Sequence, residues 1–172
     1  GIDVGEAGGY MYYAMEFVEG RTLRQMLAEL GGPLPLADCL LYTRQTAEGL
    51  RYAHGRGLIH RDIKPENIMV DRQGQAKLCD LGLVRDRARE EAGPELTKAG
   101  QAVGTPHYIS PEQARGEAEV DERTDVYGLG ATLYHLLSGK PLFSGNSNAA
   151  IMVQHLQGCA PALNEANPSI PA

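Results

Sequence analysis

His60-Arg61-Asp62-Ile63-Lys64-Pro65-Glu66-Asn67 is the stretch on which the reading of this chain turns. It places a carboxylate, an amine and a carboxamide within six positions, and Asp80-Leu81-Gly82 adds a second carboxylate eighteen residues after Asp62. Residues two apart in an extended loop project the same way, so Asp62 and Lys64 can face one point. Asn67 offers an amide oxygen and Asp80 a carboxylate, the hard oxygen ligands that a divalent cation such as magnesium prefers. Each residue alone reads as an ordinary exposed side chain of a surface turn. The full spacing, with Asp80 following a strand, is what departs from that reading.

Working outward, Ile68-Met69-Val70 and Ala76-Lys77-Leu78-Cys79 predict short strands joined by the turn Asp71-Arg72-Gln73-Gly74. Residues 36–56 predict a long helix, with Cys39, Leu40, Thr43, Thr46, Ala47, Leu50, Ala53 and His54 on one buried stripe and Gly55 and Gly57 as its stop. Thr22 is placed to cap a shorter helix carrying Leu23, Met26, Leu27 and Leu30, which ends at Gly31-Gly32. Residues 2–17 predict a hairpin turning at Ala7-Gly8-Gly9, after which residues 18–21 break the strand.

On the other side, residues 83–104 carry no apolar period, and 85–95 is a charge-mixed run suited to a loop rather than a core. Residues 121–138 predict a second long helix with Val126, Leu129, Leu133, Leu136 and Leu137 as its apolar face, and 149–156 a shorter one. The tail, 161–172, has three prolines and no pattern.

A chain of 172 residues, 42% hydrophobic and 22% charged, has the composition of a globular protein with a real core. The net charge of −6, from 22 acids against 16 bases, and the lack of a basic run argue against a nucleic-acid surface. No apolar stretch approaches the roughly 18 residues of a spanning helix, and the first residues lack the basic start and apolar run of a signal peptide. Cys39, Cys79 and Cys159 form neither a metal spacing nor a disulfide framework, which points to a reducing, cytoplasmic setting. His54 and His60 lack a third ligand at a sensible spacing for zinc; His54 falls on the apolar stripe, and His60 reads as a packed, hydrogen-bonded core histidine.

The octapeptide and Asp80-Leu81-Gly82 resemble the catalytic loop and the magnesium-binding turn of the eukaryotic-type (Hanks-type) protein kinases. The resemblance runs over nearly the whole chain. Gly104-Thr105-Pro106-His107-Tyr108-Ile109-Ser110-Pro111-Glu112 looks like the family's substrate-docking segment, with Ser-Pro-Glu for the usual Ala-Pro-Glu. Asp125-Val126-Tyr127-Gly128 matches the start of its central helix, and Met15-Glu16-Phe17-Val18 looks like its gatekeeper and hinge. Lys64 and Thr105 follow the serine/threonine pattern, and residues 108–116 and 138–143 look like the bacterial members.

The resemblance implies an α+β, two-lobed fold, with residues 1–18 as the end of the small lobe and the hinge, and 19–172 as a large lobe cut short before its last helices. It implies a piece of a serine/threonine protein kinase using ATP and Mg2+ on protein hydroxyls. Asp62 would be the base, Lys64 would neutralise the γ-phosphate, and Asn67 and Asp80 would hold the metal. The adenine would meet Met15, the Glu16 carbonyl, Val18 and the apolar floor Met69, with Thr22 at the ribose rim. Gly104 and Thr105 would dock substrate. His60, Glu112 and Asp125 would be structural, Asp125 bracing the catalytic loop. Thr97 would be the activation-loop phosphosite, received by Arg61 and Arg85, with dimerisation left open as its route. Membrane contact is expected only outside this segment.

The pattern also breaks. The family's glycine-rich loop and strand lysine are not in residues 1–172, and Gly5-Glu6-Ala7-Gly8-Gly9 reads as a hairpin turn instead. Leu81 replaces the usual Phe, and the spacing from Asp80 to Glu112 is long. In the family Glu112 pairs with a later arginine, so a lone buried charge there, at about 3–5 kcal/mol, predicts a marginally stable segment in isolation. The alternative is a pseudokinase or scaffold that binds partners without phosphoryl transfer. A small-molecule kinase is disfavoured by Thr105 and Ser110-Pro111-Glu112.

Overall fold

A computed structural model describes residues 3–80 and 106–170. Strand β1 (Asp3–Ala7) pairs antiparallel with β2 (Tyr10–Ala14) as the sequence predicts. Gly8 and Gly9 close the hairpin at φ of 61° and 82°, the left-handed pair that a two-residue turn matching strand twist requires. β2 stops short of the expected Phe17. Residues 15–19 are irregular, with Phe17 87% exposed.

The expected break at residues 18–21 is corrected in part. Gly20–Thr22 forms a third strand, β3, paired with β4 (Ile68–Asp71), which pairs in turn with β5 (Ala76–Leu78). The register sets Thr22 opposite Met69 and Met69 opposite Lys77. Only glycine fits at position 20, because a Cβ there would lie 2.1 Å from the Val70 carbonyl oxygen. Pairing of this kind leaves no apolar signature in three residues of Gly-Arg-Thr.

Helix α1 (Leu23–Leu30) begins with a capping box: Thr22 accepts from the Gln25 amide at 3.1 Å, and the Gln25 side chain accepts from the Thr22 amide at 2.8 Å. Gly31, at φ 64°, ends it. In α2 (Leu36–His54) the buried stripe is Cys39, Tyr42, Thr46, Leu50 and Ala53. Leu40 and Ala47 of the predicted stripe face outward, and Tyr42 takes the inward place, its ring burying well despite a polar tip.

A short helix α3 (Pro111–Ala114), absent from the predicted elements, is capped by Ser110. Helix α4 (Arg123–Ser138) forms where predicted, but Val126 is exposed and the buried face includes Thr124, Asp125, Gly128, Thr132 and His135. That face is polar because it anchors loops, so apolar periodicity misassigns it. Helix α5 (Asn148–Gln157) starts at the Ser147 cap. The tail, expected to lack pattern, holds α6 (Leu163–Ala166), and Asn167 pins it by donating to the Leu137 carbonyl at 2.6 Å.

One core serves the sheet and the helices: Leu23, Leu27, Leu50, Ile63, Ile68 and Leu136 bury against each other. Each such side chain contributes about 1.5–3 kcal/mol. Ile63 sits between Asp62 and Lys64, so the loop is bolted to the core through alternate residues. All three cysteines are free, and no helix among the described residues is long and apolar enough to cross a membrane.

Candidate active site

Residues 60–64 run as irregular backbone, with Arg61 left-handed and Lys64 extended, and then make one 3-10 turn, Pro65–Asn67, leading directly into β4. The turn brings Asn67 back under Asp62. Its Nδ2 donates to the Asp62 carbonyl at 2.8 Å and to the Asp62 carboxylate at 3.0 Å. Lys64 Nζ donates to the same carboxylate oxygen at 2.6 Å. With its nitrogen committed, Asn67 keeps its amide oxygen for another partner. Asp62 is exposed at the surface while Asn67 is buried, so the carboxylate end of the cluster faces outward.

Asp80 is brought alongside by an extension of the β4–β5 ladder, in which the Cys79 amide donates to the Asn67 carbonyl at 2.8 Å. Asp80 is exposed and takes a left-handed φ of 59°, a conformation Asp tolerates better than most residues. These donors fit a magnesium ion: one amide oxygen and one carboxylate at neighbouring backbone positions, with solvent access for the remaining ligands. Among the described residues no group of three His, Cys, Asp or Glu gathers as a metal cluster.

The loop is held from below. Asp125, 1% exposed, accepts from the Arg61 amide at 2.7 Å through Oδ1, and from the His60 amide at 2.9 Å and His54 Nε2 at 2.7 Å through Oδ2. Arg61 takes a φ of 67°, which costs a non-glycine residue about 1–3 kcal/mol and persists only where the surroundings fix it. Asp125 fixes its amide, and Gln113 Nε2 fixes its carbonyl at 2.8 Å. His60 accepts from the Asp62 amide at 3.3 Å through Nδ1 and donates to the Cys79 carbonyl at 3.0 Å through Nε2. It thereby links the Asp62 loop to the Asp80 strand. Gly128 of α4 is needed for this approach, since a Cβ there would meet Ile63 Cβ at 3.1 Å and the Ile63 carbonyl at 3.2 Å.

Behind residues 106–108 lies a layer of Tyr–His pairs. Tyr108 OH bonds His135 Nδ1 at 2.7 Å, and Tyr127 OH bonds His155 Nδ1 at 2.7 Å. Burial lowers the His135 pKa to about 4 and raises that of Tyr108, so the pair is neutral at pH 7. Burial, and then the Asp80 charge, push the Cys79 thiol up, so it stays protonated and unreactive beside Asp80.

Of the other predicted site residues, Met15, Glu16 and Val18 lie in the irregular segment between β2 and β3, and Met69 lies on β4. Thr22 is opposite Met69, but its hydroxyl is occupied as the α1 cap. Glu112 is only half-buried and makes no ion pair among the described residues, so the predicted cost of a fully buried lone charge is corrected downward. Arg61 is described; Arg85, Thr97, Gly104 and Thr105, like Leu81 and Gly82, lie outside the described residues. Sequence reasoning missed three supports. His54 falls on the expected apolar stripe but hydrogen-bonds Asp125 from the last turn of α2; Gln113 lies in the 108–116 run with no role read for it, and His135 carries no motif.

Residues 2–170 match the family model described as "Protein kinase domain". The chain is 42% identical over 167 residues to a probable serine/threonine-protein kinase PknB of Bifidobacterium longum, covering 97% of this chain and 24% of that protein. It is 40% identical over 159 residues to the serine/threonine-protein kinase PknB of Mycolicibacterium smegmatis (90% and 25%). It is 37% identical over 169 residues to the serine/threonine-protein kinase PrkC of Bacillus subtilis (98% and 25%). The chain thus spans about a quarter of the length of these relatives.

Proposed function

The chain belongs to the protein kinase family, and within it we propose that these residues form the catalytic half of a serine/threonine kinase that moves the γ-phosphoryl group of ATP to a protein hydroxyl. The observation that carries this reading is the meeting of Lys64 and Asn67 on the Asp62 carboxylate, at 2.6 and 3.0 Å, beside the strand end that bears Asp80. In the reaction the acceptor oxygen forms a bond to phosphorus, the bond to the departing ADP oxygen breaks, and the acceptor proton leaves. Asp62 orients the hydroxyl and accepts that proton; Lys64 sets a cation against the γ-phosphate. Asn67 and Asp80 hold Mg2+, which when bound neutralises charge on the phosphates.

Residues 15–18 would seat the adenine through the Glu16 carbonyl and the Val18 backbone, with Met69 beneath it. Gly104 and Thr105 would dock the peptide, and phosphorylated Thr97 would be received by Arg61 and Arg85. Arg61 Nε supports this last role, being buried with no hydrogen-bond partner among the described residues. For Thr22, its engaged hydroxyl leaves only a packing role at the ribose rim. Residues 1–18 would be the end of the small lobe and 19–172 the large lobe.

Residues 1–172 alone are expected to have negligible activity, because the glycine-rich phosphate cover and strand lysine of the family are not among them. The test is ATP-dependent phosphorylation of a generic basic protein by the full-length protein and by residues 1–172. The reading predicts transfer by the first and none by the second. A full-length protein that binds Mg·ATP without transferring phosphate would leave the scaffold role instead.

A further inference from the structure

Residues 15–19 join the β1–β2 hairpin to the β3–β4–β5 sheet, and among the described residues little holds them. They belong to no strand or helix, and Phe17 is largely exposed. A segment of this kind has low local stability unless side chains tie it down. Two do. Glu16 Oε1 accepts from Lys77 Nζ at 2.7 Å, and Glu19 Oε1 meets Arg72 Nη2 at 2.5 Å. Both cations come from one element, the β4–β5 hairpin: Arg72 from its turn and Lys77 from β5.

That hairpin also carries the chemistry. Met69 is the cross-strand partner of Lys77, and three residues beyond Lys77 the chain reaches Asp80, after the Cys79 amide has bonded the Asn67 carbonyl. We propose that Glu16–Lys77 and Glu19–Arg72 form a two-point latch fixing residues 15–19 against the hairpin that leads to Asp80, with Lys77 and Arg72 as positioning residues for the nucleotide. The proposal rests on the reading of residues 15–18 as the adenine-facing segment. The pairs bracket the segment, one near each end, so together they restrict its rotation as a single pair could not.

The Lys77 environment is consistent with this assignment. Asp71 Oδ2 lies 3.9 Å from the same ammonium, yet the hydrogen bond is made to Glu16. That bond and the Lys77 charge hold the Glu16 carboxyl below its usual range. Both pairs are exposed, so the latch is weak and salt-sensitive, and removing it costs a modest factor.

The test uses the full-length protein and the double variant K77M/R72M. Two quantities are read: chymotryptic cleavage after Phe17 without nucleotide, and KM for ATP beside kcat. The latch predicts cleavage and KM each raised about two- to fivefold, with kcat nearly unchanged. High salt shifts the wild type the same way and leaves the variant unmoved; the single variant K77M moves both quantities in that direction, and the charge swap E16K/K77E restores most of what K77M loses. Equal cleavage in wild type and variant, or a swap that restores nothing, overturns the latch. Faster cleavage with an unchanged KM keeps the latch and overturns the assignment of residues 15–18 to the adenine.

Discussion

The loop at residues 60–67 and the connector at 15–19 are both irregular backbone in the proposed site, and they are held in opposite ways. The loop rests on a buried carboxylate with three donors, on Gln113 and on Ile63 in the core. The connector rests on two exposed ion pairs. Buried bonds of the first kind are costly to leave unmade and indifferent to salt; exposed pairs are cheap to lose and screened. The difference suits the proposed division of labour, in which Asp62 would keep its aim while residues 15–19, as a hinge, would yield.

The hardest blow to this contrast is Asp125→Ala. It strands two buried amides and His54, and unfolding stability should fall by about 3–5 kcal/mol, read as a lower urea midpoint at unchanged m. A loss near zero would mean the loop is no better anchored than the connector.

Acid sharpens the contrast, because it acts on the buried side. His135 is held at about 4 against an ordinary 6.5, so the unfolded chain takes up a proton first as the pH falls. Stability is full above about pH 6.5 and is lost between there and about pH 4, by up to about 3 kcal/mol. Urea midpoints across this window should slope less steeply in His135→Gln.

A smaller effect is expected from Gly128→Val, which wedges α4 away from Ile63 and should cost about 1–3 kcal/mol with a drop in kcat, measured on the same variant. The smallest comes from Arg24→Ala. The Arg24–Glu66 pair, 3.7 Å apart and exposed on both sides, should change stability by less than about 1 kcal/mol in thermal melts.

Much of this was legible in the sequence, and for identifiable reasons. Asp62, Lys64 and Asn67 sit within one octapeptide whose hydrogen bonds are local, and the strand before Asp80 pairs with the strand that follows Asn67. The β4–β5 turn and the α1 cap announced themselves through Asp71, Gly74 and Thr22, residues whose chemistry is local. What failed was long-range or polar. The β3 strand is three residues of ladder with no apolar signal. The inward faces of α2 and α4 contain Tyr42 and His135, which periodicity counts as outward, while Leu40 and Val126 were counted inward. His54 is 71 positions from Asp125, a pairing that no window of sequence contains.

The central claim is that Asp62 is the proton acceptor in a pocket whose nucleotide contacts lie elsewhere. Asp62→Asn in the full-length protein tests it most directly, with phosphoryl transfer and ATP affinity measured side by side. The account predicts transfer reduced by about 10²–10⁴-fold with ATP affinity within about twofold of wild type. Transfer near the wild-type rate would contradict it.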